Sequence, residues 1–210
     1  VELSENKLSP ADSRFVKDRQ GNLCLVIMGN GVFTYDEKAD IFSQKYTPFT
    51  IPPKWRPFYF VQDPLQLNYW IGCDSGLVKY DPKRKIMSTG KNNVDHDKII
   101  DAYRQVTNVL IPFMDTKGRL WMHAWPSNEG AILYSYDPGS NQFINWEPQF
   151  HKALQGRYHE YEPFFQSSDG TVWAMGNNVF ASFNENKKMF EPIISNQPGE
   201  YKIRYDQVRQ

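Results

Sequence analysis

Asp115-Thr116-Lys117-Gly118-Arg119-Leu120-Trp121 reads as a tight turn running into a strand, and the chain contains versions of it four times. The other three are Asp18-Arg19-Gln20-Gly21-Asn22-Leu23-Cys24, Asp63-Pro64-Leu65-Gln66-Leu67-Asn68-Tyr69-Trp70 and Ser168-Asp169-Gly170-Thr171-Val172-Trp173. A second anchor follows each: Gly31 to Tyr35-Asp36, Gly76 to Tyr80-Asp81, Ala131 to Tyr136-Asp137, and Asn178 to Phe183-Asn184. The Trp-type positions (Cys24, Trp70, Trp121, Trp173) lie 46, 51 and 52 residues apart, the period of a stacked or radial repeat.

Each repeat reads as four short strands. The first is an aromatic run ending at the turn, as in Phe58-Tyr59-Phe60-Val61 and Val109 to Met114. The second begins at the Trp-type anchor and the third ends at the Tyr-Asp anchor. The fourth is short, as in Asp40-Ile41-Phe42, Gln142 to Trp146 and Lys188-Met189-Phe190. In the third strand, Thr34, Lys79, Ser135 and Ser182 share a face with Val32, Leu77, Leu133 and Phe180. Both faces are therefore at least partly covered, as in sheets stacked face to face. Four antiparallel strands at a period near fifty residues describe an all-β chain of β-propeller blades, about four of them. The blades fall at 13–46, 57–90, 108–148 and 161–195, in a single propeller region spanning 1–210, with Tyr201 to Tyr205 reading as the opening strand of a further blade at 200–210. Helix is expected only as a turn or two, at Asp97 to Val106 and Ala153-Leu154, because neither segment sustains a 3.6-residue period.

Composition narrows the function. With 24 basic and 24 acidic residues the chain has no net charge to draw in nucleic acid, and clusters such as Lys83-Arg84-Lys85 and Lys187-Lys188 fall in turns. No apolar run is long enough to span a bilayer, and Val1 to Pro10 lacks the pattern of a secretory leader. No disulfide is expected between Cys24 and Cys73, which stand at anchor offsets of opposite parity. The four histidines have no ligand-like spacing, and no nucleophile elbow, zinc-binding helix motif or phosphate-binding glycine loop occurs, so neither a metal, a cofactor nor a catalytic residue is expected. The repeated Asp of the turns is read as a cap on its own backbone amides.

The loops of an up-and-down blade emerge at two ends. The Asp-type turns and the Tyr-Asp turns share one end and are compact; the other end carries Gln44 to Pro57, Ala124 to Gly130, Gly90 to Asn108 and Pro148 to Glu162. Long loops on a rigid frame are where binding is usually placed. In and beside these stand Trp55, Arg56, Tyr103, Arg104, His123, Trp125, Arg157, Tyr158 and His159, aromatic and hydrogen-bonding groups suited to a sugar or another small polar ligand. The same aromatics could instead seal one blade against the next.

Trp70-Ile71-Gly72-Cys73-Asp74-Ser75-Gly76-Leu77-Val78-Lys79-Tyr80-Asp81 resembles the two-component regulator propeller repeat, as does Asp115 to Trp121 with Tyr136-Asp137-Pro138. The first repeat departs by placing Cys24 at the Trp position, the second by lacking the turn glycine, and the fourth by ending in Phe183-Asn184. The resemblance implies a periplasmic or extracellular sensor region of a membrane-anchored two-component or hybrid histidine kinase, of a type frequent in Bacteroidetes. It implies a ligand-sensing module that signals to a kinase, not an enzyme. Four blades are fewer than the seven usual there, which suggests a fragment of a longer sensor, a small closed ring, or further blades from another chain; the fragment is favoured. A homodimer or further blades of the same protein are possible partners, alongside an oligosaccharide. The alternatives are a protein-interaction scaffold and, behind it, a propeller lyase or glycosidase.

Overall fold

In the computed structural model, residues 13–126 and 130–193 are described; the expected strand at Tyr201 to Tyr205 lies outside them. The chain forms two compact units, Val1–Pro112 and Phe113–Gln210. The described residues are all-β apart from two short α-helices and a few short turns, and four antiparallel sheets follow one another along the chain as propeller blades.

The first sheet is β1 (Ser13–Lys17), β2 (Leu23–Ile27), β3 (Gly31–Asp36) and β4 (Ile41–Ser43). The second is β5 (Pro57–Gln62), β6 (Tyr69–Cys73), β7 (Gly76–Asp81) and β8 (Ile86–Thr89). The third is β9 (Val109–Met114), β10 (Leu120–Ala124), β11 (Ile132–Asp137) and β12 (Gln142–Asn145); the change of unit falls inside β9. Each of these three runs in sequence order across the sheet.

The fourth sheet departs from that pattern. Its opening strand is split into β13 (Glu160–Tyr161) and β14 (Phe165–Gln166), both pairing with β15 (Val172–Asn177), which continues to β16 (Val179–Asn184) and β17 (Met189–Pro192). Pro163 has no N–H to give to the ladder, so the run breaks there. The backbone closes in beside the break: a Cβ on Gly176 would sit 2.0 Å from the Glu160 carbonyl oxygen, at a φ of +156°.

Two local devices repeat in every sheet. At the first hairpin, Asp18 Oδ1 accepts the N–H groups of Gln20 and Asn22, Asp63 Oδ1 those of Leu65 and Gln66, and Asp115 Oδ1 those of Lys117 and Arg119. A left-handed residue closes each turn: Gly21, Gly118 and Gly170 where glycine is present, and Leu67 (φ +63°) in the second repeat, whose turn is one residue longer. In the fourth repeat the sequence alignment on Asp169 is two residues removed from the anchor clamp: Ser167 holds Trp173 Nε1 (3.2 Å), six residues on, while Asp169 caps Thr171 and takes the Ser167 hydroxyl. At the last hairpin of each sheet Asp36, Asp81, Asp137 and Asn184 cap the turn, and Asp40, Lys85, Asn141 and Lys188 adopt positive φ.

Within the first unit, Cys24, Val26 and Val32 from the first sheet share a core with Tyr69, Ile71, Cys73 and Val78 from the second, and Phe49 closes it from the connecting loop. Cys24 and Cys73 are both free thiols in that core: opposite faces of successive sheets meet when the sheets stack. Tyr69 crosses the junction to donate its hydroxyl to Asp18 Oδ2 at 2.8 Å. Within the second unit, Trp121 and Trp146 stack at 6.3 Å, with Phe183 and Phe190 edge-on to both. Side chains of that size each contribute about 2 to 3 kcal/mol on burial. Trp146 Nε1 reaches Ser135 Oγ (2.8 Å), so the small polar residue of the third strand serves a buried donor.

Helix α1 (Lys98–Ala102) lies in the expected segment. Helix α2 (Glu147–Ala153) starts earlier than the expected turn at Ala153, because Pro148 is well placed in a first helical turn and Phe150 drops into the core. No helix among the described residues is long and apolar enough to cross a membrane.

Candidate ligand-binding site

The loop end of the first unit is built around two tethers. The β4–β5 connection leaves through a 3-10 turn at Gln44–Tyr46, is pinned where Thr47 Oγ1 donates to the Val32 carbonyl (2.8 Å), and turns again at Pro52-Pro53-Lys54, where Trp55 N–H returns to the Pro52 carbonyl. Lys54 takes φ +71° to complete that turn, which presents Trp55 half-buried. Arg56 then grips Asp74 at two points, backbone N–H to Oδ1 and Nε to Oδ2, both 3.0 Å. The Asp74 N–H answers to the Arg56 carbonyl, and the Asp74 carbonyl accepts from Asn108 (2.8 Å). Asp74 thus joins three loop segments. Its partial burial would raise its pKa, but hydrogen bonds from Arg56 and Ser75 outweigh this and hold the carboxyl below its usual range.

The second tether is Lys79. This side chain occupies the position of Thr34, Ser135 and Ser182 in the other sheets, yet it carries a charge and is buried. Its ammonium meets Asp97 Oδ2 at 2.6 Å and lies 5.6 Å from the Trp70 ring centre. Asp97 is also the N-cap of α1, accepting Ile99 and Ile100 N–H groups, so the buried lysine fixes where that helix starts. The helix ends on the buried Tyr103, and the backbone of Arg104 passes so near Gly90 that a Cβ there would stand 3.0 Å from Arg104 Cα.

Two cavities result, both inside the first unit and both walled by Trp55. One, of about 380 Å³, is enclosed by Gln44 to Pro57 and the Asn30-Gly31 turn, and includes Pro52, Pro53 and Lys54. The other, of about 350 Å³, lies between the Asp74-Ser75-Gly76 turn, Gly90-Lys91 and Tyr103 to Thr107. Four of the nine sequence-expected site residues therefore gather here: Trp55, Tyr103 and Arg104 line the second cavity, and Arg56 holds its Asp74 wall.

The other five belong to the second unit and line neither cavity. His123 and His159 are buried: His123 lies against Tyr161 and Phe164, and His159 meets Glu147 (3.2 Å) and the Tyr161 hydroxyl (3.1 Å). Burial would lower the His159 pKa, yet the Glu147 carboxylate and the Arg157 carbonyl raise it. Burial, then Glu147, pushes the Tyr161 hydroxyl up. These two histidines serve the interior of the unit. Trp125 packs against the same core, whereas Arg157 and Tyr158 are exposed, with the Tyr158 hydroxyl donating to Glu160. Conversely, Lys54, Asp74 and Lys91 line the cavities without having been singled out in sequence; Asp74 alone had a signal, as the turn residue of the best repeat copy.

No family model and no curated protein matches the chain. Solved structures do. The extracellular domain of BT4673 from B. thetaiotaomicron, assigned as a hybrid two component system, is 16% identical with a TM-score of 0.59, over 93% of this chain and 23% of that one. The extracellular domain of BT3049 from the same organism, similarly assigned, is 16% identical with a TM-score of 0.60, over 88% and 23%. An auxiliary nutrient binding protein from Bacteroides thetaiotaomicron VPI-5482 is 12% identical with a TM-score of 0.56, over 90% and 42%. The chain spans from under a quarter to about two fifths of those chains, and at these identities the likeness is one of fold.

Proposed function

We propose that this chain is a non-enzymatic ligand-sensing propeller module in the periplasmic or extracellular part of a membrane-anchored two-component sensor. It takes up an oligosaccharide or a similar small polar ligand at the loop end of its first unit and passes the change to a kinase. The observation that carries this reading is the pair of cavities sharing Trp55, an aromatic wall amid hydrogen-bonding groups on loops fixed by Asp74 and Lys79. The fold likeness to extracellular sensor domains and to a nutrient binding protein supports it. A ligand there shifts signalling by its differential affinity for two arrangements of the loops.

Calorimetric titration with a panel of oligosaccharides tests the proposal. A binder is expected, with Trp55→Ala lowering its affinity at least tenfold; a panel without binders, or an unaffected Trp55→Ala variant, removes the site. Turnover of any glycoside or lyase substrate would contradict the non-enzymatic part. A second reading, docking of a protein or of further blades of the same protein, including a homodimer, is favoured by one feature. Phe15 is 66% exposed on the first sheet and touches Phe42, itself against Tyr35. Pull-down and light scattering with Phe15→Ser would separate it from ligand binding.

A further inference from the structure

Charge around Trp55 differs from charge in the molecule as a whole. The chain balances 24 basic residues against 24 acidic ones. Around the two cavities, however, stand Lys54, Arg56, Lys91 and Arg104 against Asp74 and Asp101. Asp74 is already engaged by Arg56 and Ser75, and Asp101 Oδ1 takes one Nη of Arg104 at 2.9 Å. Lys54 and Lys91 have no carboxylate partner among the described residues. Lys54 belongs to the first cavity, which has no acidic residue in its wall among the described residues; Lys91 and Arg104 belong to the second. Since Gly90 is pressed against the Arg104 backbone, those last two cations come from segments in direct contact.

Size and polarity limit the occupant. Each cavity is at the small end of the range for small-molecule sites, about 300 to 1,000 Å³, which suits one sugar ring more than an extended chain. The Trp55 ring offers an apolar face for the C–H face of a pyranose. A neutral sugar would leave Lys91 without a counter-charge, whereas a carboxylate would meet it and also compete for Arg104 with an exposed and therefore weak Asp101 pair.

Resting on the ligand-binding reading above, we propose that the ligand is an acidic oligosaccharide: one ring lies on each side of Trp55, and a uronate carboxylate sits in the second cavity between Lys91 and Arg104. The probes are digalacturonate and its neutral dimethyl ester, titrated by calorimetry at low salt. The acid is expected to bind at least tenfold more tightly than the ester, and added salt to narrow the gap. Lys91→Met should remove most of the discrimination, Asp101→Asn should tighten the acid a few-fold by releasing Arg104, and Trp55→Ala should weaken both ligands alike. Lys91 and Asp101 are exposed, so neither substitution threatens the fold. Equal affinity for acid and ester, an unchanged ratio in Lys91→Met, or no binding of digalacturonate overturns the inference. If neutral oligosaccharides still bind through Trp55, only the acidic ligand is lost; if no oligosaccharide binds, the ligand-binding reading falls with it.

Discussion

Replacing Asp115 by Ala tests whether the repeat is held by its turn clamp. The carboxylate is fully buried and accepts four hydrogen bonds: the N–H groups of Lys117 and Arg119 at 2.9 Å, Arg119 Nε at 2.6 Å and Trp121 Nε1 at 2.9 Å. Removing one partner of a buried ion pair costs about 3 to 5 kcal/mol. Here Arg119 keeps Glu185 at 2.6 Å and the rings of Trp121 and Phe183 near 5 Å, which places its share at the lower end. The stranded indole N–H adds to that, for a total of about 4 kcal/mol. Asp63 provides the internal comparison. Its clamp caps Leu65 and Gln66, but with the longer turn Trp70 Nε1 has no partner among the described residues, so Asp63→Ala should cost about 1 to 2 kcal/mol. Urea unfolding, followed by tryptophan fluorescence and circular dichroism, reports the difference. With a slope of about 2 kcal/mol per molar, the midpoint should fall by about 2 M in Asp115→Ala and by under about 1 M in Asp63→Ala. Equal shifts in the two variants would refute the argument that the second Asp115 oxygen supplies most of the clamp.

Gly72→Ala should lower stability by about 3 kcal/mol, or about 6 to 12 °C in thermal midpoint, because the new Cβ would stand 2.4 Å from the Val109 carbonyl oxygen; a loss under about 2 °C would show that the backbone gives way. Lys79→Met leaves Asp97 still capping α1 and Asp95 still on Arg84 (2.7 Å), so the expected loss is about 2 kcal/mol, below that of an unrelieved buried charge. Hydrogen exchange at residues 98–102 should speed up in step, and unchanged exchange would refute the tether. Glu185 is partly buried, which alone would raise its pKa, but Arg119, Lys117 and Lys188 bring it from 4.5 down to about 2. Its stabilisation is therefore complete above pH 4.5 and lost as pH falls towards 2. Glu185→Gln should flatten that limb of urea midpoint against pH; curves parallel to the original would contradict the assignment.

The strands and hairpins were legible because their determinants are local. An Asp two residues before the amide it caps, and a Trp six residues beyond it, are fixed by the geometry of one turn, so spacing alone locates them. Other features depended on neighbours distant in sequence. Ser167 takes the Trp173 indole N–H at the same six-residue spacing as Asp115 and Trp121, which a reading anchored on the residue type Asp169 passes over; at the Pro163 break only the close approach of Gly176 to Glu160 comes from a distant neighbour. His123 and His159 read as loop histidines, but His123 stands in β10 against Tyr161 and Phe164, and Glu147 and Tyr161 close over His159. Trp55, Arg56, Tyr103 and Arg104 shared only membership of long loops, whereas Asp74 and Lys79, which bring those loops into place, looked like ordinary members of the repeat.

In each sheet the capped hairpins lie at one end of the strands, and in the first unit the cavities lie at the other. On the ligand-binding proposal, the instructions for folding a blade and those for choosing a guest are written on separate stretches of chain, apart from the Asp74 and Lys79 ties. On the same proposal, diversifying Pro52 to Trp55 and Lys91, while keeping those ties and the Asn93 amide that holds Asp97, should give receptors with altered tastes on an unchanged frame.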